Sequence, residues 1–161
     1  MIGWLRRLFS GRAPAIVLAA SRDAGGIATL HGASFRRGWG EAEVEGLIAE
    51  RNVLTHVARA GRSTAGFIMS RSAADEAEIL SVAVGRSWRG RGLARELLTA
   101  HLRRLAGLGT RTVFLEVDEN NEPAIRLYAR AGFREVSRRA NYYPIENGKT
   151  AAALILRRDL G

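Results

Sequence analysis

Ser81-Val82-Ala83-Val84, followed by Arg89-Gly90-Arg91-Gly92-Leu93-Ala94, is the stretch of sequence that decides the fold. The first segment has the short apolar pattern of a strand, and the second places two glycines in front of a long amphipathic helix. After that helix comes another apolar segment, Leu115-Glu116-Val117, which predicts a second strand. Strand, helix and strand in this order predict a βαβ crossover within residues 81–133.

The turn between the first strand and the helix has features of a phosphate site. Gly90 and Gly92 lack Cβ atoms, so the turn can adopt positive φ and bring backbone close to a ligand. The N-terminus of the next helix offers free N–H groups to a pyrophosphate, and Arg89, Arg91 and Arg95 add positive charge. A Walker loop or a dinucleotide fingerprint would need residues that this turn lacks. An ordinary solvated turn is the alternative interpretation.

Glu116 is the first candidate for acid–base chemistry. It stands in the run 113–117, which predicts a strand buried on both faces. A carboxylate in such a strand is costly unless it is paired, protonated or facing a cleft, and an enzyme can use that environment to hold a base. The alternative is a glutamate at the strand end that points at solvent or at an arginine.

Tyr128 and Asn121 belong to the helix that follows this strand. Tyr128 shares one face of the predicted helix 123–131 with Ile125, a position that is usually core. Because the helix starts just after the strand of Glu116, both side chains can face the gap beyond the carboxyl ends of the strands. Asn121 could cap the helix or bond an amide of a ligand, and the sequence leaves both readings open.

The remaining segments alternate between helical and strand patterns. Their periodicity and breakers predict a hairpin around 60–62 and a helix that starts at 93 and ends near 107–109. The other predicted helices are 24–35, 41–50 and 123–131. The predicted strands are 16–18, 53–60, 63–71, 78–84, 112–117, 133–139 and 151–157.

Composition narrows the class of protein. The chain has 161 residues, 47% of them hydrophobic and 25% charged, as in an ordinary soluble globular protein. We expect a tail over 1–13, a single domain over 14–161, no membrane segment and a cytoplasmic location. The absence of cysteine excludes disulfide and thiolate chemistry.

The net charge of +9 has four possible explanations. It can indicate a nucleic acid, an anionic cofactor or an acidic partner, or it can be a compositional bias without function. The arginines are scattered rather than gathered along one helix, which disfavours nucleic acid. His31, His56 and His101 fall in separate segments without ligand spacing, so we expect no metal site and a structural or surface role for each.

These residues resemble a known family. Arg89-Gly90-Arg91-Gly92-Leu93-Ala94 is similar to the acetyl-CoA signature of the GNAT N-acetyltransferases, Gln/Arg-x-x-Gly-x-Gly/Ala, with Ala94 as the allowed last residue. The wider chain, roughly 15–158, resembles the bacterial ribosomal-protein-alanine N-acetyltransferases of the RimI type. The matching stretches are 75–84, 115–117, Asn121, 124–125, 127–128, 132–133, 138–139 and 141–144.

The resemblance implies an α/β fold of the GNAT kind, with a mixed central sheet of about six or seven strands, flanking helices and a splayed strand pair that binds acetyl-CoA. It implies that Glu116 is the general base and Tyr128 the general acid. No metal is implied. The implied contacts to acetyl-CoA are Val82, Ala83, Val84, Arg89, Gly90, Arg91, Gly92, Leu93, Ala94, Arg95, Asn121 and Tyr128.

The acceptor side departs from the family pattern. A Pro-Trp-Ser-type turn is usual between the first two helices, whereas this chain has Arg36-Arg37-Gly38-Trp39-Gly40. The loop between Tyr143 and Lys149 is the other expected wall, which Tyr142 and Tyr143 either line or merely pack against. The predicted substrate-binding residues are Trp39, Tyr142 and Tyr143.

The resemblance also implies an acceptor. It is the N-terminal α-amine of a protein, such as the N-terminal alanine of a small-subunit ribosomal protein, acetylated by direct attack in a ternary complex. A GNAT enzyme acting on lysine or on a small amine is one alternative. A non-catalytic regulator that binds CoA or nucleic acid is an alternative from another class.

Overall fold

The computed structural model describes residues 12–161 and places a seven-stranded mixed sheet at the centre, with helices on both faces. This confirms the predicted fold class, while most of the predicted tail at 1–13 lies outside the described residues. The strands are β1 (Ala15–Leu18), β2 (Val53–Ala60), β3 (Ser63–Ala73), β4 (Glu76–Val84), β5 (Thr112–Asp118), β6 (Arg134–Pro144) and β7 (Thr150–Asp159). The helices are α1 (Ala24–Ser34), α2 (Glu41–Ala49), α3 (Leu93–Gly107) and α4 (Glu122–Arg130).

The strand order places one parallel pair of strands inside an otherwise antiparallel sheet. The order is β1-β2-β3-β4-β5-β7-β6, and every neighbouring pair is antiparallel except β4 and β5. The parallel pair is joined through α3, as the predicted crossover requires. The predicted hairpin around 60–62 joins β2 to β3, with Gly61 at φ +60°.

The two parallel strands separate partway along their length. They pair only from Glu76–Thr112 to Ile79–Leu115, although β4 continues to Val84 and β5 to Asp118. On the other side of β4, Ser81 pairs with Met69 and Ile79 with Ser70, so Leu80 is the extra residue of a β-bulge. A bulge increases local twist and bends the strand. The predicted splayed pair is confirmed.

Two apolar clusters fill the sheet faces. The predicted leucine period of α3 buries Leu97, Leu98 and Leu105 against the sheet, in one cluster with Leu115 and Leu156. The second cluster packs α1 and α2 on β2, β3 and β4. Its buried members are Ala24, Ile27, Val44, Val57, Phe67, Met69 and Ala83.

The prediction that β5 is buried on both faces is wrong. Val113, Leu115 and Val117 are buried beneath α3 and α4, but Phe114 and Glu116 on the opposite face are only half-buried. The reason is that α1 and α2 pack on the β2–β4 part of that face. Glu116 is therefore a residue of a partly open sheet face.

Strand β6 runs five residues beyond its predicted end at 139. Its residues are exposed on both faces except for Tyr143, so the strand carries no alternating pattern that a sequence could reveal. Pairing with β7 is interrupted between Arg139 and Tyr143 and then resumes. Asn141 lies within this interruption at φ +55°, and its side chain accepts a hydrogen bond from Thr150 Oγ1 at 2.6 Å.

Two histidines from distant segments meet inside the core. His56 Nδ1 and His101 Nδ1 are 2.8 Å apart, and His101 Nε2 is 2.7 Å from Ser70 Oγ. All three side chains are buried. Burial, reinforced by the neighbouring His56, lowers the pKa of His101 to about 3. The expected structural role of these histidines is confirmed, although their contact was not predicted.

Because His101 is held neutral, the fold should lose stability in mild acid. An unfolded histidine takes up its proton near pH 6.5, whereas folded His101 resists protonation until about pH 3. The unfolded state binds more protons between these values, so stability should fall as the pH falls through this window, by roughly 1.4 kcal/mol per pH unit. Urea unfolding measured at about pH 7 and about pH 4.5 tests this.

The matched variant is His101→Gln, which does not titrate and can still hydrogen-bond to Ser70. Its free energy of unfolding should depend less steeply on pH than that of the wild-type chain. Arg103→Gln, on an exposed position of the same helix, should keep the wild-type slope. Equal slopes for wild type and His101→Gln would contradict the assignment.

Within residues 12–161, no helix combines the length and the apolar character that a bilayer crossing requires.

Candidate active site

The glycine turn before α3 has the backbone conformation that its sequence predicts. Gly90 has φ +73° and Gly92 has φ +79°, in the left-handed region that side chains disfavour. A Cβ at either position would meet no atom within 4 Å, so the backbone conformation, not crowding, calls for glycine. Gly92 immediately precedes α3, whose first N–H groups are therefore free to bind an anion.

Side chains beside the turn fix its position against β4. Arg89 Nε donates a hydrogen bond to the carbonyl oxygen of Val84 at 3.1 Å, which ties the turn to the end of the strand. The guanidinium of Arg91 lies over the ring of Trp88, 5.2 Å from its centroid. Arg89 and Arg95 line the adjoining cleft, whereas Arg91 is not among the lining residues.

A cleft of about 2050 Å³ opens where β4 and β5 separate, bounded by α3 and α4. Typical small-molecule pockets hold about 300–1,000 Å³, so this cleft has room for two substrates. It brings together most of the predicted site residues. The predicted residues that line it are Val82, Ala83, Val84, Arg89, Gly90, Gly92, Leu93, Ala94, Arg95, Glu116, Asn121, Tyr128 and Tyr143.

Glu116 faces this cleft and also has a cationic neighbour. Its side chain is 26% exposed, and Oε1 lies 3.3 Å from Nη1 of Arg139 on β6. Both interpretations offered by the sequence therefore describe part of its surroundings, since the carboxylate lines a cleft and also points at an arginine. A half-exposed carboxylate of this kind can accept a proton from a bound amine directly or through one water.

Tyr128 lies on α4 and lines the cleft. Its ring is buried and packs edge-on against Phe133, with centroids 5.7 Å apart and an interplanar angle of 65°. Gly132, at φ +88° just after α4, lets the chain turn back so that Phe133 can make this contact. Burial raises the pKa of Tyr128 to about 12, so the phenol keeps its proton throughout the neutral range.

Asn121 caps α4. Its Oδ1 accepts a hydrogen bond from the N–H of Ala124 at 3.3 Å, and Pro123 stands in the first turn of the helix, as predicted. Asn121 also lines the cleft, so its amide group is available to a ligand. The capping role fixes the start of α4 and thereby the position of Tyr128.

The acceptor wall differs from the predicted one. Trp39 does not line the cleft; it stacks on His31 with ring centroids 4.0 Å apart, and its backbone N–H donates to His31 Nδ1 at 3.1 Å. His31 also stacks on Phe35, which does line the cleft together with Arg36. Trp39 therefore does not form the wall itself. Its ring packs into the second apolar cluster and supports Phe35 through His31.

The two predicted tyrosines of the opposite wall have different positions. Tyr143 lines the cleft with Pro144, and its pKa is raised by burial and by the negative charge of Glu116. Tyr142 is 48% exposed, is not a lining residue and lies under the guanidinium of Arg139. Tyr143 pairs with Ala151 where the β6–β7 pairing resumes, whereas Tyr142 is the last residue of the interruption. Arg36 and Pro144 fall in the two segments that were expected to form the acceptor walls, whereas Phe35 and Arg139 were not predicted as site residues.

The donor half of the cleft fits a phosphorylated thioester. The left-handed glycines and the free end of α3 suit a pyrophosphate, and Arg89 and Arg95 add positive charge at the lining. The separated ends of β4 and β5 expose backbone groups to which a pantetheine amide can hydrogen-bond. A glycine turn, an open parallel strand pair, and a carboxylate and a phenol that line the same cleft are together typical of a class of acyltransferase.

Comparison with known proteins identifies that class. The model of the acetyltransferase (GNAT) family matches residues 26–133. The chain therefore belongs to the GNAT acetyltransferase family, whose members use acetyl-CoA. A solved Arabidopsis thaliana complex with acetyl-CoA shares the fold, with a TM-score of 0.77 at 22% identity over 90% of this chain and 97% of that one.

Individual relatives are similar over different lengths. The [ribosomal protein bS18]-alanine N-acetyltransferase of Haemophilus ducreyi is 36% identical over 56% of this chain, and the match spans 62% of that protein. The Escherichia coli K12 protein of the same name is 32% identical over 73% of this chain and 78% of its own length. The crystal structure of the Escherichia coli ribosomal-protein-S18-alanine N-acetyltransferase covers 91% of this chain and 94% of its own, with a TM-score of 0.84 and 26% identity.

Proposed function

We propose that this chain transfers the acetyl group of acetyl-CoA to the N-terminal α-amine of a protein, the N-terminal alanine of a small-subunit ribosomal protein. The observation that carries the proposal is the single cleft in which the glycine turn, Glu116 and Tyr128 meet. The choice of acceptor rests on the Haemophilus ducreyi and Escherichia coli relatives, which are named for the alanine of a ribosomal protein. We place the activity in the cytoplasm and in one domain over residues 14–161.

The amine must lose a proton before it can attack. An α-amine has a pKa of about 7.7–8.0, so roughly a tenth is neutral at pH 7. Glu116 accepts the proton of the ammonium form, directly or through water. The amine nitrogen then bonds to the thioester carbonyl carbon, and the N–H groups near Ala83 and Val84 stabilise the negative charge that develops on the oxygen.

Tyr128 completes the transfer. The C–S bond breaks as Tyr128 donates its proton to the departing sulfur, and the phenolate is reprotonated by the second proton that the amine nitrogen loses. Glu116 releases the first proton to solvent, so both groups return to their starting states. Of the two protons lost by the ammonium, one is on the CoA thiol and one is in solution.

A panel of acceptors tests the proposal. Wild-type protein and acetyl-CoA are incubated with peptides that begin with alanine and carry an internal lysine, with the same peptides blocked at the N-terminus, and with spermidine. Mass spectrometry should find acetylation at the α-amine of the unblocked peptides. Acetylation only of lysine or spermidine would replace the acceptor, and no acetylation of any amine would favour a non-catalytic CoA-binding role.

A further inference from the structure

Arg139 is the cationic residue in contact with the proposed base. Its Nη1 lies 3.3 Å from Glu116 Oε1, and it reaches Glu116 from β6 without being a lining residue of the cleft. Its neighbour Arg138 points elsewhere, since Arg138 pairs with Glu119 at 2.9 Å and with Glu135 at 3.2 Å. The Glu116 carboxylate thus has a protein cation on one side and the open cleft on the other.

The acceptor brings a second cation to the same carboxylate. An amine that arrives as ammonium must approach Glu116 to give up its proton, and two positive charges that share one carboxylate repel each other. A strong and rigid Arg139–Glu116 pair would therefore oppose the approach of the ammonium group to this carboxylate.

The surroundings of Arg139 allow it to leave. Its side chain is 57% exposed, so breaking the ion pair and moving the guanidinium into solvent costs little free energy. Its guanidinium also lies over the ring of Tyr142, 5.4 Å from the centroid, so it keeps a favourable contact when the pair with Glu116 breaks. Tyr142 lies in the interrupted part of β6, directly after the left-handed Asn141.

We infer that Arg139 is a displaceable counter-ion of Glu116, so that acceptor binding is an exchange of one cation for another. The inference rests on the proposed function of Glu116. The protonated acceptor displaces the guanidinium toward Tyr142 and donates its proton to Glu116. The product amide is neutral and no longer competes, so Arg139 returns to Glu116 once the carboxylate has released its proton. Arg139 is a specificity-determining residue and takes no part in bond making.

The test compares Arg139→Gln with Arg138→Gln, a matched neighbour whose ion pairs do not involve Glu116. Exposed ion pairs contribute about 0.2–1 kcal/mol, so Arg139→Gln should lower KM for an unblocked peptide about 1.4- to 5-fold. KM for acetyl-CoA should not change. In calorimetry with CoA-bound protein, the unblocked peptide should bind more tightly and its N-acetylated form should not. Arg139→Lys should restore the wild-type KM, and Arg138→Gln should match wild type.

An unchanged or higher acceptor KM in Arg139→Gln would overturn the inference. So would equal tightening for the unblocked and the N-acetylated peptides, because a neutral product cannot compete with a cation. If wild type acetylates a lysine peptide or spermidine instead, the acceptor proposal fails. The same comparison is then made with that amine, which is also a cation and should show the same decrease in KM.

Discussion

Replacing Glu116 by glutamine should lower kcat by about 10²–10⁴-fold, the usual contribution of a general base. Glutamine keeps the size of the side chain but cannot accept a proton from an ammonium group. The fold should be retained, because Glu116 is half-exposed and its ion pair with Arg139 is exposed. The measurement is steady-state acetylation of an alanine peptide, with acetyl-CoA binding followed separately by calorimetry.

The control is Asp118→Asn, two residues further along β5. Asp118 also lines the cleft, and its Oδ1 accepts a hydrogen bond from the N–H of Asn120 at 2.8 Å, which asparagine can preserve. This variant should keep kcat within a few fold of wild type while Glu116→Gln does not. Unimpaired turnover in Glu116→Gln would remove that residue from the mechanism. A large loss of acetyl-CoA affinity would instead give it a role in donor binding.

Replacing Tyr128 by phenylalanine should slow the chemical step by about 10²-fold. The ring packing against Phe133 is preserved, so the change removes the hydroxyl proton and little else. Burial raises the pKa of this phenol to about 12, so its acidic form persists well above neutrality. Wild-type turnover should therefore show no alkaline limb from Tyr128 up to about pH 9.5. Single-turnover kinetics and a pH profile check both statements.

Tyr143→Phe is the matched control, because Tyr143 is the other tyrosine that lines the cleft. It should change KM for the acceptor more than the rate of the chemical step. Equal rates for Tyr128→Phe and wild type in single-turnover experiments would return Tyr128 to a packing role. A fall in turnover between about pH 8 and 9.5 that disappears in Tyr128→Phe would contradict its raised pKa.

The donor half of the molecule was accessible from sequence because its determinants are local. Gly90 and Gly92 need positive φ within one turn, and the leucine period of α3 fixes which helix face is buried. The splayed strands followed from the family resemblance. The turn and the helix depend on residues close together in the chain, so for these two features spacing alone was informative.

The features that sequence did not reveal depend on distant pairings. His56 and His101 are 45 residues apart, and only the packing of α3 on β2 and β3 brings their rings together. The face of β5 that carries Glu116 stays half-open because α1 and α2 cover other strands. Trp39 was expected in the cleft, but its ring has a better apolar environment against His31.

The early end of β4–β5 pairing also divides the reacting groups between two leaves joined by a short seam. Ala83 and Val84, whose N–H groups we propose to stabilise the oxyanion, belong to the β1–β4 leaf, whereas the proposed base Glu116 belongs to the β5–β7 leaf. Four residue pairs, ending at Ile79–Leu115, form the backbone seam between them. In the proposed mechanism, the angle between the two leaves therefore sets the distance from the attacking nitrogen of the acceptor to the carbonyl carbon of acetyl-CoA. Substitutions at the Glu76–Thr112 end of this seam, which does not line the cleft, can therefore change the reaction rate by changing this angle.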